Sequence, residues 1–137
     1  MLSKTLDGRF DELQNGNGTA LYNNGNKYSG MFRQGFKDGQ GVFSVASGDL
    51  YTGHFVRGMR EGQGIEVFSN GERYVGQYIG DSRQGLGTAY YSSGQVKYTG
   101  NWDQGSPHGE SRGIYIQDTG QVTLSVIRKW DLHRPEW

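Results

Sequence analysis

The chain has 137 residues, of which only 33% are hydrophobic, and its mean hydropathy of −0.76 is low for a conventional two-layer core. Its 14 basic and 14 acidic residues cancel, which argues against a nucleic-acid partner, since such proteins carry a clustered basic excess. Cysteine is absent, which excludes a disulfide framework and thiolate chemistry and fits an intracellular, cytoplasmic protein. The opening segment MLSKTLDGRF has no apolar h-region, and no run approaches the roughly 18 apolar residues of a spanning helix. What the chain has in excess is 24 glycines, with nine Tyr, six Phe and three Trp. Rings supply large buried area per side chain, and glycines mark turns or places where a side chain must be missing.

In chain order, Leu6-x-Gly8-x-Phe10 opens a beat that becomes clear at Gly25, Tyr28-x-Gly30-x-Phe32 and Gly39-x-Gly41. The beat returns 23 residues later as Gly48, Tyr51-x-Gly53-x-Phe55 and Gly62-x-Gly64, and again as Gly71, Tyr74-x-Gly76-x-Tyr78 and Gly85-x-Gly87. A fixed period of this length marks a repeat architecture. We divide the chain into a half repeat (6–15), full repeats 16–38, 39–61, 62–84 and 85–110, a degenerate capping repeat (111–127) and a tail (128–137).

Each full repeat opens on Gly-x-Gly and runs through four residues rich in β-branched and aromatic types. It then turns at Asn24-Gly25, Ser47-Gly48, Asn70-Gly71 or Ser93-Gly94. The second strand alternates with period two, placing Tyr28, Gly30 and Phe32 on one face and Ser29 and Met31 on the other. The expected fold is all-β: an elongated, single-layer antiparallel meander of stacked β-hairpins. Helix is a poor competitor, because the glycines of each repeat would each cost about 1 kcal/mol in a helix interior. The strand glycines leave room for a ring from the adjacent strand to lie across the backbone, and the rings should form two ladders down one face.

Repeat four carries one extra residue in Gly94–Tyr98, which predicts a bulge or widened turn. In the last unit Thr123, Ser125 and Ile127 replace the Tyr, Gly and second aromatic, as expected of a capping repeat.

The beat in residues 39–61 and 62–84 resembles the MORN repeat (membrane occupation and recognition nexus), Tyr-x-Gly-x-Trp-x-x-Gly-x-x-x-Gly-x-Gly. Only Trp102 is the preferred tryptophan; Phe32, Phe55 and Tyr78 replace it, and Asp81 follows Gly80 where a loop glycine is usual. The resemblance implies a hairpin meander that serves as a binding platform: a scaffold, a homodimeriser, a groove for a partner peptide, or a binder of acidic phospholipid.

Three surfaces are candidates. Tyr28, Phe32, Tyr51, Phe55, Glu66, Tyr74, Tyr78, Tyr98 and Trp102 would line an aromatic groove for a protein or peptide, or would be the only core a one-layer sheet has. Glu66 either pairs with a basic ligand or is a solvated edge residue. Lys37, Arg60 and Arg83 recur at one repeat position as a ridge along one edge of the sheet. That ridge is either a site for anionic lipid or solvated charge, with Asp38 and Glu61 cancelling much of its field. Val122, Leu124 and Val126 form an apolar row on the final strand, which needs a cover; Trp130, Leu132 and Trp137 of the tail offer one, and the tail either folds back within one chain or docks onto a second copy or another protein.

No catalytic constellation or metal-ligand spacing appears among His54, His108 and His133, and Gly-x-Gly recurs as a turn element rather than a nucleotide loop. The expectation is a non-enzymatic binding or scaffold module without cofactor or metal, working through the groove or the C-terminal edge. The alternatives are a peripheral membrane module and a dimerisation module.

Overall fold

The computed structural model describes residues 2–6, 15–107, 112–116 and 122–126, with side chains over 15–107. The strands in chain order are β1 (Leu2–Leu6), β2 (Asn15–Tyr22), β3 (Lys27–Arg33), β4 (Phe36–Ser44), β5 (Leu50–Val56), β6 (Met59–Val67), β7 (Arg73–Ile79), β8 (Ser82–Tyr90), β9 (Val96–Asp103), β10 (Ser106–Pro107), β11 (Arg112–Ile116) and β12 (Val122–Val126). All belong to one open sheet, and there is no helix among the described residues. From β2 to β9 each strand pairs antiparallel with the next, as the repeat pattern predicts. β1 departs from the meander and runs parallel to β2, with Leu2 opposite Gly18 and Leu6 opposite Tyr22. Gly8 and Phe10 of the half repeat lie outside the described residues.

Two kinds of turn alternate. At Asn24-Gly25 the Gly25 N–H donates to the Tyr22 carbonyl and the Tyr22 N–H to the Asn26 carbonyl, enclosing three residues with Gly25 at φ 92°. This is a turn closed by one left-handed glycine, not a two-residue Asn-Gly hairpin loop. The two-residue loops join β3 to β4, β5 to β6, β7 to β8 and β9 to β10, at Gln34-Gly35, Arg57-Gly58, Gly80-Asp81 and Gln104-Gly105, where both residues have positive φ. In the third of these loops Asp81 takes φ 75°.

The Gly-x-Gly pairs are not turns, as the sequence reading had them, but sit inside strands. Between β3 and β4 the register passes from Gly30↔Gly41 to Phe32↔Lys37, so Met31 faces Asp38, Gly39 and Gln40, and the same irregularity recurs between β5 and β6 and between β7 and β8. On its other side β4 pairs regularly, Gly39 with Phe55 and Gly41 with Gly53. The bulge bends each repeat without interrupting the sheet. The extra residue of the fourth repeat also makes the expected bulge: Ala89 pairs with Tyr98 and Tyr90 with Val96, so Lys97 has no opposite.

Gly30, Gly53 and Gly76 lie beneath the ring of their own strand, Tyr28, Tyr51 and Tyr74, whereas Gly41, Gly64 and Gly87 meet the same rings from the adjacent strand. A Cβ on Gly53 would stand 2.6 Å from the Tyr51 hydroxyl and 2.7 Å from the Gly64 Cα across the pair. Two backbones and a ring meet there, and no larger residue fits.

Candidate functional site

The core is one face of the sheet. Tyr28, Tyr74 and Tyr98 are fully buried, and Phe32, Tyr51, Phe55, Tyr78 and Trp102 nearly so. They interlock as a single zigzag rather than two ladders: Phe32, Tyr28, Phe55, Tyr51, Tyr78, Tyr74, Trp102 and Tyr98 each meet the next edge to face, with centroids 5.0–5.5 Å apart. Each tyrosine of the beat crosses its glycine and donates its hydroxyl to a carbonyl three residues on: Tyr28 to Met31 (2.7 Å), Tyr51 to His54 (2.9 Å), Tyr74 to Gln77 (2.9 Å) and Tyr98 to Asn101 (2.9 Å). In the first three repeats these carbonyls belong to the residue facing the bulge, so the hydroxyl satisfies an acceptor that the ladder leaves open. Burial pushes the hydroxyls of Tyr51, Tyr74 and Tyr98 up to about 12. It raises Tyr28 and Tyr78 further, with the charge of Glu66 adding to the effect at Tyr78.

Residues directly opposite in the ladder share a face. Ala20, Phe43, Glu66 and Ala89 stand opposite Tyr28, Tyr51, Tyr74 and Tyr98, so they belong to the aromatic face. Glu66 is not a solvated edge residue. It accepts the Tyr78 hydroxyl at 2.6 Å and lies 3.4 Å from Arg60.

The same rule corrects the placement of the basic row. Lys37, Arg60 and Arg83 pair with Phe32, Phe55 and Tyr78, which puts them on the aromatic face rather than along an edge. Lys37 Nζ sits 4.3 Å from the Phe43 ring centroid and 5.2 Å from that of Phe55. The Arg60 guanidinium lies 5.0 Å from the Tyr78 centroid, and that of Arg83 lies 5.1 Å from the Trp102 centroid. In the fourth repeat the equivalent position, opposite Trp102, is the buried Pro107. Arg60 is fully engaged, with Nε 2.7 Å from Asp81 Oδ1 and Nη2 2.6 Å from the Asp81 carbonyl. Burial disfavours its charge, but the hydrogen bond and charge of Asp81, with Glu66, outweigh that and raise it. Burial lowers Lys37, with Asp81 opposing and Arg60 reinforcing the shift.

Two clefts open on this face. The first, of 340 Å³, has Tyr51 and Phe55 in its floor and Lys37, Phe43, Arg60 and Glu66 in its walls. The second, of 310 Å³, has Tyr74 and Trp102 in its floor, with Phe68, Glu72, Arg83 and Lys97 among its walls. Of the rings proposed for the groove, Tyr28, Phe32, Tyr78 and Tyr98 line neither cleft. Lys97 is a site residue that sequence reasoning missed: the bulge buries its side chain, and Nζ reaches Glu72 Oε1 at 3.3 Å.

Also missed were Asn15, Asp38, Glu61 and Gln84, whose side-chain oxygens accept the N–H of Gln34, Arg57, Gly80 and Gln104, tying each repeat to the turn of the next. Their signal was a side-chain carbonyl or carboxylate at one repeat position. Trp130, Leu132 and Trp137 lie outside the described residues, as do the side chains of Val122, Leu124 and Val126; β12 ends the sheet, paired with β11. Among the described residues no cluster of His, Asp and Glu could hold a metal ion, and no helix is long and apolar enough to cross a membrane.

A search of curated proteins finds no match. The family model described as MORN repeat matches residues 28–50, 51–73, 74–96 and 98–110, more than half of the chain, each unit beginning on the tyrosine that covers its glycine pair. The chain therefore belongs to the MORN-repeat family, whose repeats serve in general as protein- or membrane-binding modules and are typically non-catalytic.

Proposed function

We propose that the protein is a non-catalytic binding or scaffold module that takes an extended segment of another protein on its aromatic face. The observation that carries this reading is the pair of adjoining clefts, 340 and 310 Å³, floored by interlocked rings and walled by polar groups. The floor is held by ring packing and tyrosine hydrogen bonds in the free protein, so little ordering is required on binding. One repeat advances by two strands, about 9.6 Å at ~4.8 Å per strand. That matches three residues of an extended polyproline II segment at ~3.1 Å each, whose three-residue turn returns every third side chain to the same face, so a segment running along the sheet would offer every third residue to successive clefts.

The row Lys37, Arg60 and Arg83 is a weaker candidate for acidic phospholipid, because Arg60 already holds Asp81 and Glu66. A second reading, strand addition or dimerisation at the C-terminal edge, is favoured by one observation: β12 is the last strand of an open sheet.

The test is selection of displayed nonapeptides on the full chain. Binding should be lost in Val45→Trp, which fills the first cleft, and kept in Ile65→Arg on the opposite face, with near-UV circular dichroism confirming both folds. Peptides indifferent to Val45→Trp would sink the groove reading and favour the edge.

A further inference from the structure

We propose that the first cleft selects an acidic residue of the bound segment, with Lys37 as its anchor. This rests on the groove reading above and adds the chemistry of one position. Lys37 leaves β4 opposite Phe32, and its ammonium is held over three ring faces, 4.3 Å from Phe43, 5.2 Å from Phe55 and 6.0 Å from Tyr28. Ring faces attract a cation but accept none of its three N–H donors in a conventional hydrogen bond. Among the described residues no carboxylate pairs with Lys37, because the acids of the same cleft are engaged elsewhere. Asp81 and Glu66 bind Arg60 at 2.7 and 3.4 Å, and Asp49 Oδ1 accepts the Ser69 N–H at 2.8 Å. The cleft therefore contains two cations of different kinds: Arg60 is paired directly with its counter-ions, and Lys37 feels the charge of Asp81 without pairing with it.

A carboxylate arriving over Lys37 receives those donors in a partly desolvated setting, where a charge-assisted hydrogen bond is strong. The neighbouring surface, Phe43, Val45 and Leu50, is apolar and suits an aliphatic or aromatic residue beside the acid. Asp49 stands at the opposite end of the strands: its carbonyl closes the three-residue turn, whereas that of Lys37 accepts from Gly58 in the two-residue turn. A second acid would meet like charge there. The specificity is thus one acidic residue flanked by an apolar one, not an acidic run.

The nonapeptide display library is the probe. On the wild-type chain, enriched sequences should carry Asp or Glu at one aligned position next to an apolar residue. On Lys37→Met, which keeps the aliphatic stem over the rings, that position should lose its preference. On Lys37→Glu it should turn to Lys or Arg. For one enriched peptide measured by calorimetry, replacing its acid by the amide should cost about tenfold or more in affinity on the wild-type chain and under about twofold on Lys37→Met. Enrichment without an acid, or an acid whose preference survives both substitutions, overturns the proposal and leaves the groove standing. Absence of any enriched peptide on the wild-type chain overturns the groove reading and this proposal together.

Discussion

The two faces of the sheet divide the work of folding between them. Across β2 to β9 the outer face carries one register row, Thr19, Ser29, Val42, Thr52, Ile65, Val75, Thr88 and Thr99, each directly opposite the next. The row is nearly all β-branched, and it leaves Ile65 43% exposed. The inner face carries rings and glycines, and Phe55 is only 2% exposed. In a one-layer sheet, strand propensity and core formation thus reside on different faces: the outer row favours extended backbone, and the inner zigzag removes area from water.

Substitutions can break that contrast, and the largest effect should come from the zigzag itself. Phe55→Ala deletes a ring that contacts Tyr28 and Tyr51 and should cost about 4 kcal/mol in urea unfolding. Gly53→Ala comes next, at about 3 kcal/mol, because its Cβ would strike the Gly64 backbone, which cannot swing away. Tyr78→Phe removes the donor to the Glu66 carboxylate and should cost about 2 kcal/mol. Ile65→Ala, on the exposed row, should cost less than about 1 kcal/mol. If Ile65→Ala proved as costly as Phe55→Ala, the outer face would have to be covered by something and the contrast would fail.

The hydroxyls sharpen the same comparison through pH. Tyr51, Tyr74 and Tyr98 are raised from 10.0 to about 12 by burial, so between those values the folded chain holds protons that the unfolded chain has released. Their contribution is complete below pH 10 and is lost as the pH rises toward 12. The urea midpoint should therefore fall steeply over that window, and less steeply in Tyr51→Phe, which has one proton fewer to hold.

Much of this was legible because the repeat shows each element several times. Tyr28-x-Gly30-x-Phe32 alternates with period two, and alternation alone places its rings on one face. The cations were not legible. Lys37, Arg60 and Arg83 had looked like an edge ridge, since the Gly-x-Gly that follows each of them read as a turn. The actual loop is two residues long, and Gln34 at φ 51° is not a residue that announces it. With the loop shortened, Lys37 falls opposite Phe32 and joins the rings. Lys97 shows the same limit from the other side: its extra residue announced a bulge, but nothing in the sequence said that the bulge would bury a lysine. Asp38 and Glu61 had read as counter-charges; their contacts are with the next repeat's turn, which a reading confined to neighbours in sequence could not find.

The most direct test of the account is to map, by amide and methyl chemical shifts, where a nonapeptide selected on the wild-type chain binds. The account predicts that the largest changes fall on Phe43, Val45, Leu50, Arg60 and Glu66 around the first cleft. Largest changes on Val42, Ile65, Val75 and Thr88, or on β12, would contradict it and move the binding surface to the outer face or the open edge.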